Sequence, residues 1–416
     1  MLTTALRVIL SRSFRPFVFT DTYDKRLEFE NLPHLGLYVH IPFCRSLCAF
    51  CPYCKVPYDP NLVDDYVEAL LAEIHLVGKE SLEKKIVTSL YFGGGTPALL
   101  IDSLEKIISC LKEYFIITEG IGVELHPNDI TKSNLEKLRN MGITMVSIGV
   151  QSFHSGCLEN IGRENHEIQE KIRLVKSSGF AVIDIDLIFA LPGQDEKVLR
   201  QDMEMAFALG ATQVSTYPFI DFSFADNPHP PLSERRKREM LKTLADISRE
   251  MGLVRTSVWT FAQPETGRYT SVTRDCFLGF GVSATTLLKD SFKVNTFSVP
   301  AYIDRIRKGE LATALTCRFT LRQRALYFLF WSAYSLRVNS MNFQEILGVS
   351  LESLFAKEFW LAEKLGLVVK KEEDYLLTEK GASLYHDIEQ RYTHAYIDKT
   401  WRLCRREPFP KEMILR

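Results

Sequence analysis

Along most of the chain, short runs of β-branched and aromatic residues alternate with stretches whose apolar positions recur every three or four residues. The runs 37–41, 87–92, 122–126, 145–150, 181–189 and 213–218 read as strands. Behind the first, Val63, Tyr66, Val67, Leu70, Leu71, Ile74 and Val77 recur at helical spacing. Helical patterns also cover about 103–114, 131–140, 166–178 and 197–208, and another, 233–250, follows the last strand. Six βα units predict an α/β fold, a parallel sheet with crossover helices. Six units do not complete an eight-stranded barrel, so an open or partial (β/α)6 barrel is expected.

The chemically unusual residues fall where such strands end, which is where β/α architectures collect their chemistry. The first strand runs into Cys44-Arg45-Ser46-Leu47-Cys48-Ala49-Phe50-Cys51, and the second into Gly93-Gly94-Gly95-Thr96-Pro97. The third carries Glu124, and the fourth ends at Gly149-Val150-Gln151. The fifth carries Asp184 and Asp186 before Leu191-Pro192-Gly193. Asp184 and Asp186, two apart, point to one face of a strand, the interior of a barrel.

From about Cys317 the pattern becomes helical: 321–333 is strongly apolar, 351–365 follows, and 366–377 reads as a hairpin before a helix over 378–390. Segments 339–342 and 370–374 read as turns. Helices followed by a two-stranded wing suggest a winged-helix-like module. Residues 317–416 hold 16 basic and 13 acidic side chains, short of a nucleic-acid footprint, which favours a structural or substrate-covering role. At the other end, residues 1–19 carry Arg7, Arg12 and Arg15 with no acid among them. Transit peptides share that bias; an amphipathic arm packed on the body is the favoured reading. The expected organisation is an arm (1–34), a barrel with its extension (35–300) and a helical module (301–416).

A formal net charge of -1 argues against nucleic acid or an acidic membrane as the main partner, and no apolar run is long enough to span a bilayer. Four of nine cysteines crowd into 44–54 and five are scattered, which is no disulfide framework and fits a reducing cytoplasm. The scattered five (Cys110, Cys157, Cys276, Cys317, Cys404) read as inert buried thiols.

Cys44, Cys48 and Cys51 can each take one iron of a 4Fe–4S cluster, because such clusters are held by thiolates. Three ligands leave a fourth iron free for something else. Zinc is the rival, since Cys51-Pro52-Tyr53-Cys54 is a C-x2-C unit; it would need further ligands, and no second pair follows downstream. The triple glycine is a tight turn or backbone that approaches a ligand closely. Glu124, inside a strand, needs a cationic or hydrogen-bonding partner. Gln151 and Arg163 offer an amide and a fixed cationic fork; for Arg163 a surface salt bridge is the plainer alternative. His40 reads as a satisfied interior histidine. Phe50 either presents its backbone to a ligand or shields the thiols from water.

The C-x3-C-x2-C loop resembles the radical S-adenosylmethionine (SAM) superfamily. The series Tyr38-Val39-His40-Ile41-Pro42-Phe43-Cys44, Gly93-Gly94-Gly95-Thr96-Pro97, Ser147-Ile148-Gly149-Val150-Gln151-Ser152-Phe153 and Asp184-Ile185-Asp186-Leu187-Ile188-Phe189-Ala190-Leu191-Pro192-Gly193-Gln194 resembles the oxygen-independent coproporphyrinogen III oxidase-like family. Gly279-Phe280-Gly281-Val282-Ser283-Ala284 is similar to that family's late glycine-rich loop.

The resemblance implies a cluster on Cys44, Cys48 and Cys51, with Tyr38, Gly94 and Glu124 holding the SAM bound to it. Phe50, Gly95, Thr96, Gln151, Arg163 and Asp186 match positions that contact a second SAM or the substrate. It further implies an external electron donor such as flavodoxin or ferredoxin, reductive SAM cleavage to a 5′-deoxyadenosyl radical, and a tetrapyrrole or other small-molecule substrate. Heme chaperones and class C methyltransferases or cyclopropanases share the family and remain alternatives. One departure bears on the choice: the oxidases carry a further Cys two residues beyond the third ligand, whereas Cys54 here lies three beyond.

Overall fold

The protein is described from a computed structural model, covering residues 2–164, 166–225, 227–267 and 275–416. Seven strands form a parallel run: β1 (Leu35–Ile41), β2 (Lys85–Gly94), β3 (Phe115–Leu125), β4 (Met145–Gln151), β5 (Val182–Phe189), β6 (Gln213–Pro218) and β7 (Cys276–Phe280). The first six pair in chain order, and β7 lies on the free side of β1, with Gly279 opposite Tyr38. The sheet is an open α/β sheet, not a closed barrel. Beyond β6 it continues antiparallel through Thr260–Ala262 and Val254–Arg255. Beyond β7 it runs through Thr285–Leu287, Ser291–Asn295, Thr313–Arg318, Phe17–Thr20 and Glu412–Leu415, so both chain termini contribute strands.

The crossover helices arise where the periodicity places them: Pro60–Gly78, Ile101–Tyr114, Lys132–Asn140, Ile168–Ser177 and Glu196–Leu209. Asp59 caps the first by accepting from Asn61 N–H with Pro at the first turn, and Asp195 caps the last by accepting from Val198 N–H. Their apolar faces bury Tyr66, Leu70 and Ile74, or Ile107 and Leu111, against the sheet. β1 is buried along nearly its whole length, as a central parallel strand must be.

Two boundaries differ from the sequence reading. β3 begins earlier, at Phe115, because the strand passes through an irregular register and a left-handed Gly120 (φ 130°) that break its alternation. Residues 339–342 are not a turn: Asn339 ends the strand Arg337–Asn339 and caps the helix Ser340–Leu347 by accepting from Asn342 N–H. Asn and Ser serve turns and N-caps alike, so sequence alone does not separate the two. The wing therefore has three strands, with Asp374–Leu377 between Arg337–Asn339 and Val368–Lys371. Around it pack Leu321–Tyr334, Leu351–Lys364 and Glu379–Tyr392. Residues 2–11 form an amphipathic helix against Leu321–Tyr334 and Glu379–Tyr392. Among the described residues, no helix is long and apolar enough to cross a membrane.

Candidate functional site

β1 delivers Phe43 and Cys44 onto a loop that is closed at its base. Val56 N–H donates to Pro42 carbonyl (2.8 Å) and Tyr58 N–H to Cys44 carbonyl (2.9 Å). Inside the loop, Lys55 Nζ donates to the carbonyls of Cys48 (2.8 Å) and Cys51 (2.6 Å). Cys44, Cys48 and Cys51 are free and partly exposed, whereas the other six cysteines are free and buried. Burial pushes the Cys44 thiol up to about 11, so it stays protonated until a cation arrives to hold the thiolate. Among the described residues no three His, Cys, Asp or Glu side chains converge on one point as a lone ion demands. In a cluster each thiolate takes a different iron, and three thiols on one loop offer that donor set.

The glycine loop abuts this one. Gly95 N–H donates to Ile41 carbonyl (2.7 Å) and Thr96 N–H to Phe43 carbonyl (2.8 Å), while Thr96 Oγ1 reaches Cys44 Sγ at 3.8 Å. A Cβ on Gly95 would lie 2.7 Å from Phe43 carbonyl oxygen, and one on Gly94 (φ 119°) 2.7 Å from the His40 ring. The chain's own close approach therefore already requires glycine here. Glu124 on β3 accepts from Gly94 N–H (3.0 Å) and Tyr91 Oη (3.1 Å), and burial raises its pKa. Tyr38 Oη lies 3.0 Å from His40 Nδ1, whose Nε2 lies 2.9 Å from Cys54 carbonyl. His40 is the satisfied interior residue expected, held neutral by burial with its pKa lowered to about 4.

On the far side, Arg163 is buried, not a surface ion pair. Nη2 donates to Gly149 carbonyl (2.5 Å), Nη1 points at Cys48 Sγ (3.9 Å), and Nε is buried with no protein partner. That open donor fits an acceptor group of a ligand. Gln151 follows a register shift in β4 and sits at φ 71°, which turns its side chain out of the alternation. Asp186 accepts from Ser147 Oγ (2.7 Å), and its pKa is raised well above normal by burial and by the charge of Asp184. Asp184 accepts from Gln213 (2.9 Å) and Ser215 (2.8 Å) and is pushed up to about 6 by burial. Phe50 packs on Leu158, Ile161, Ile188 and Phe219.

The structure adds residues that sequence reasoning passed over. Tyr91 and Lys55 are two. The helix Asp398–Arg406 supplies others: Trp401 stacks on Phe222 (5.9 Å) and tilts over Tyr53 (5.8 Å), and Arg405 Nη2 donates to Pro52 carbonyl. Asp398 fastens that helix by accepting from Ser223 N–H and Oγ, both 2.8 Å. No local pattern signals a contact between residues 52 and 405. Cys54 Sγ donates to Phe297 carbonyl in the interior (3.3 Å). A cavity of about 710 Å³ opens on Tyr38, Tyr91, Gly94 and Glu124 and extends beneath the C-terminal helices.

An open α/β sheet with three loop thiols, a glycine turn and a strand carboxylate at one rim is the arrangement expected of a radical SAM domain, and residues 38–206 match the radical SAM superfamily model. Beyond that domain the chain is similar to heme chaperones and to oxygen-independent coproporphyrinogen III oxidases. It is 28% identical over 371 residues to the heme chaperone HemW of Bacillus subtilis, covering 84% of this chain and 97% of the relative. With HemW of Lactococcus lactis it shares 32% identity over 210 residues, 49% of this chain and about half (53%) of that relative. With the oxygen-independent coproporphyrinogen III oxidase of Paracoccus denitrificans it shares 26% identity over 318 residues, 70% of each chain. The fold matches coproporphyrinogen III oxidase (HemN) from Escherichia coli at a TM-score of 0.76, with 23% identity over 94% of this chain and 98% of that one.

Proposed function

We propose that the chain is a radical SAM enzyme acting on a tetrapyrrole or another flat, anionic small molecule in a cytoplasmic setting. The observation that carries the reading is the meeting of Cys44, Cys48 and Cys51, the Gly93–Gly95 turn, Glu124 and Arg163 at one rim, where Gly94 and Glu124 line the cavity. In this reading Cys44, Cys48 and Cys51 hold a 4Fe–4S cluster, and Tyr38, Gly94 and Glu124 hold the SAM bound to it. When bound, cluster and SAM supply one-electron cleavage of a C–S bond and a 5′-deoxyadenosyl radical, with the electron drawn from a flavodoxin- or ferredoxin-like donor.

The protein's own part is electrostatic and steric. A bound ammonium beside Glu124 restores the ionised carboxylate that burial disfavours. Arg163 Nε offers its open donor to a carboxylate or ribose oxygen, with Gln151, Gly95, Thr96, Phe50 and Asp186 facing a second SAM or the substrate. Trp401 packs on Phe222 and on Tyr53, beside the thiol loop. Anaerobic reconstitution with dithionite and SAM tests the reading: 5′-deoxyadenosine and methionine are expected, and their absence with every candidate substrate defeats it.

A heme chaperone on the same scaffold is the second reading. It is favoured by the near full-length relation to the Bacillus HemW and by the position of Cys54, three beyond Cys51 and turned to Phe297 carbonyl. Stoichiometric heme uptake without SAM turnover, followed by optical titration, selects it.

A further inference from the structure

Lys55 sits at the neck of the thiol loop, one residue after Cys54. Backbone alone closes that neck: Phe43 and Cys44 pair with Val56 and Pro57, through the hydrogen bonds from Val56 and Tyr58 N–H. A turn inside the loop is closed the same way, Cys51 N–H donating to Cys48 carbonyl (3.3 Å). As a fastener the Lys55 side chain is therefore surplus. It nevertheless turns inward and sets Nζ 2.8 Å from Cys48 carbonyl and 2.6 Å from Cys51 carbonyl. Among the described residues no carboxylate forms an ion pair with it, and the two carbonyls occupy only two of the three donors of an ammonium.

The other cations around the loop are committed elsewhere. Arg45 pairs with Asp129 (3.2 Å). Arg405 reaches Pro52 carbonyl and lies over the Phe224 ring at 4.6 Å. Arg163 points one nitrogen at Cys48 Sγ (3.9 Å), and another is held by Gly149 carbonyl. The charge of Lys55 acts on the sulfurs. Burial pushes the Cys51 thiol up, and the Lys55 ammonium is the strongest pull the other way; at Cys44 burial again pushes up and Lys55 again pulls back.

We propose that Lys55 is a positioning residue for charge: its ammonium, fixed on the Cys48 and Cys51 carbonyls, raises the reduction potential of the cluster those cysteines hold. The proposal deepens the reading above and rests on its cluster. One electron passes from the donor to the cluster, no bond forms or breaks, and the thiolates with what they hold become more negative by one unit. A cation hydrogen-bonded to two of the three ligand residues favours that state, since cluster potentials follow local charge and hydrogen bonding. A neutral donor could make the same two hydrogen bonds without favouring the added charge.

The test is an anaerobic redox titration of the reconstituted full-length chain without SAM. Dithionite is the reductant, and electron paramagnetic resonance counts the reduced cluster. At a fixed applied potential the ratio of reduced to oxidised cluster in Lys55→Gln, which can still donate to the carbonyls, is expected to fall at least about tenfold, a midpoint about 59 mV lower for one electron. Lys55→Met should shift as far, and Lys55→Arg should stay with the unaltered chain. An unshifted Lys55→Gln overturns the proposal whatever Lys55→Met does, because the side chain is then a fastener only. A shift in Lys55→Arg equal to that in Lys55→Gln also overturns it, since the charge is kept there. Iron and sulfide are assayed first. Loss of the cluster from Lys55→Gln and Lys55→Arg alike is what a fastener predicts and overturns the proposal; loss from Lys55→Gln alone, with Lys55→Arg loaded at the unaltered midpoint, supports it. An unaltered chain that takes up no iron sinks the cluster reading and this one together, whereas a loaded chain whose midpoint ignores Lys55 sinks this one alone.

Discussion

Two glycine loops flank β1, and each hands a backbone N–H to a carboxylate, yet they are built to opposite ends. After β7, Gly281 N–H donates to Glu73 (2.6 Å), which also accepts from Tyr302 Oη (2.7 Å) and Asn295 Nδ2 (3.0 Å). Glu73 is 2% exposed, and Tyr66 Oη closes the loop by donating to His40 carbonyl (2.7 Å) and accepting from Val282 N–H (3.1 Å). After β2, Gly94 N–H donates to Glu124, which has Tyr91 as its second partner and lines the cavity. The first carboxylate is sealed by protein donors on every side; the second keeps a face for a visitor. A glycine-rich loop at a strand end thus announces a close approach, and only its unspent hydrogen-bonding capacity tells a structural loop from a binding one.

The contrast predicts first that damage on the open side removes function while leaving the fold. Cys48→Ala and Cys51→Ala should carry almost no iron after anaerobic reconstitution and no measurable SAM cleavage. Their urea midpoints, measured as apoprotein, should stay close to that of the unaltered chain, within about 1 kcal/mol, since both thiols sit on a partly exposed loop. Iron retained at full stoichiometry in either variant breaks the assignment of the loop.

Next in size is the pH dependence on the sealed side. Burial raises Glu73 from 4.5 to about 7, against the pull of its three donors. A raised carboxyl pKa means the folded state holds a proton that the unfolded state has released. Its contribution to stability is therefore full below the unfolded value and is lost as pH climbs through about 7. The loss amounts to about 3 kcal/mol. Glu389, raised to about 7, and Asp202, raised to about 6, act in the same direction, so the unaltered chain should weaken from pH 5 to pH 8. Glu73→Gln should flatten its share of that slope in urea unfolding.

At low pH, where Glu73 is protonated, Glu73→Gln should also cost about 2 kcal/mol, because an amide nitrogen placed toward Asn295 Nδ2 sets donor against donor, and that cost should shrink as pH climbs through about 7. Iron and SAM binding per folded molecule should not change.

How far this was legible in the sequence follows the same division. The strands and helices were, since a period of two or of 3.6 is written locally, and so were the thiol loop, the first glycine turn and Glu124. Gln151 could be named, but not its turn out of the strand, which depends on a register shift against β5. Arg163 could be named as a cationic fork, but not its burial beneath the thiol loop against Gly149 carbonyl and Cys48 Sγ. The glycine loop after β7 was seen only by its likeness to the family; its carboxylate, Glu73, gave no signal of its own on a helix legible only by its apolar positions. Arg405 over Pro52 and Arg7 in the cavity were invisible, because contacts across hundreds of residues leave no periodic trace. Sequence patterns report what an element does to itself, and the fold decides which orphaned groups end up facing one another.

The smallest effect gives the sharpest discrimination. Glu124→Gln replaces a carboxylate by an amide of the same shape. Its oxygen can go on accepting from Gly94 N–H, and its nitrogen can donate to Tyr91 Oη, which is able to accept. Both hydrogen bonds therefore survive, and the burial that disfavours the charged form no longer matters. Stability should change by less than about 0.5 kcal/mol. What disappears is the charge offered to an ammonium, so SAM affinity should fall by about tenfold, near 1.4 kcal/mol. The same substitution is thus costly to the fold at Glu73 and costly only to the ligand at Glu124. Equal losses of stability at the two positions would mean that the second loop is as closed as the first. Undiminished SAM affinity would mean that the visitor enters elsewhere.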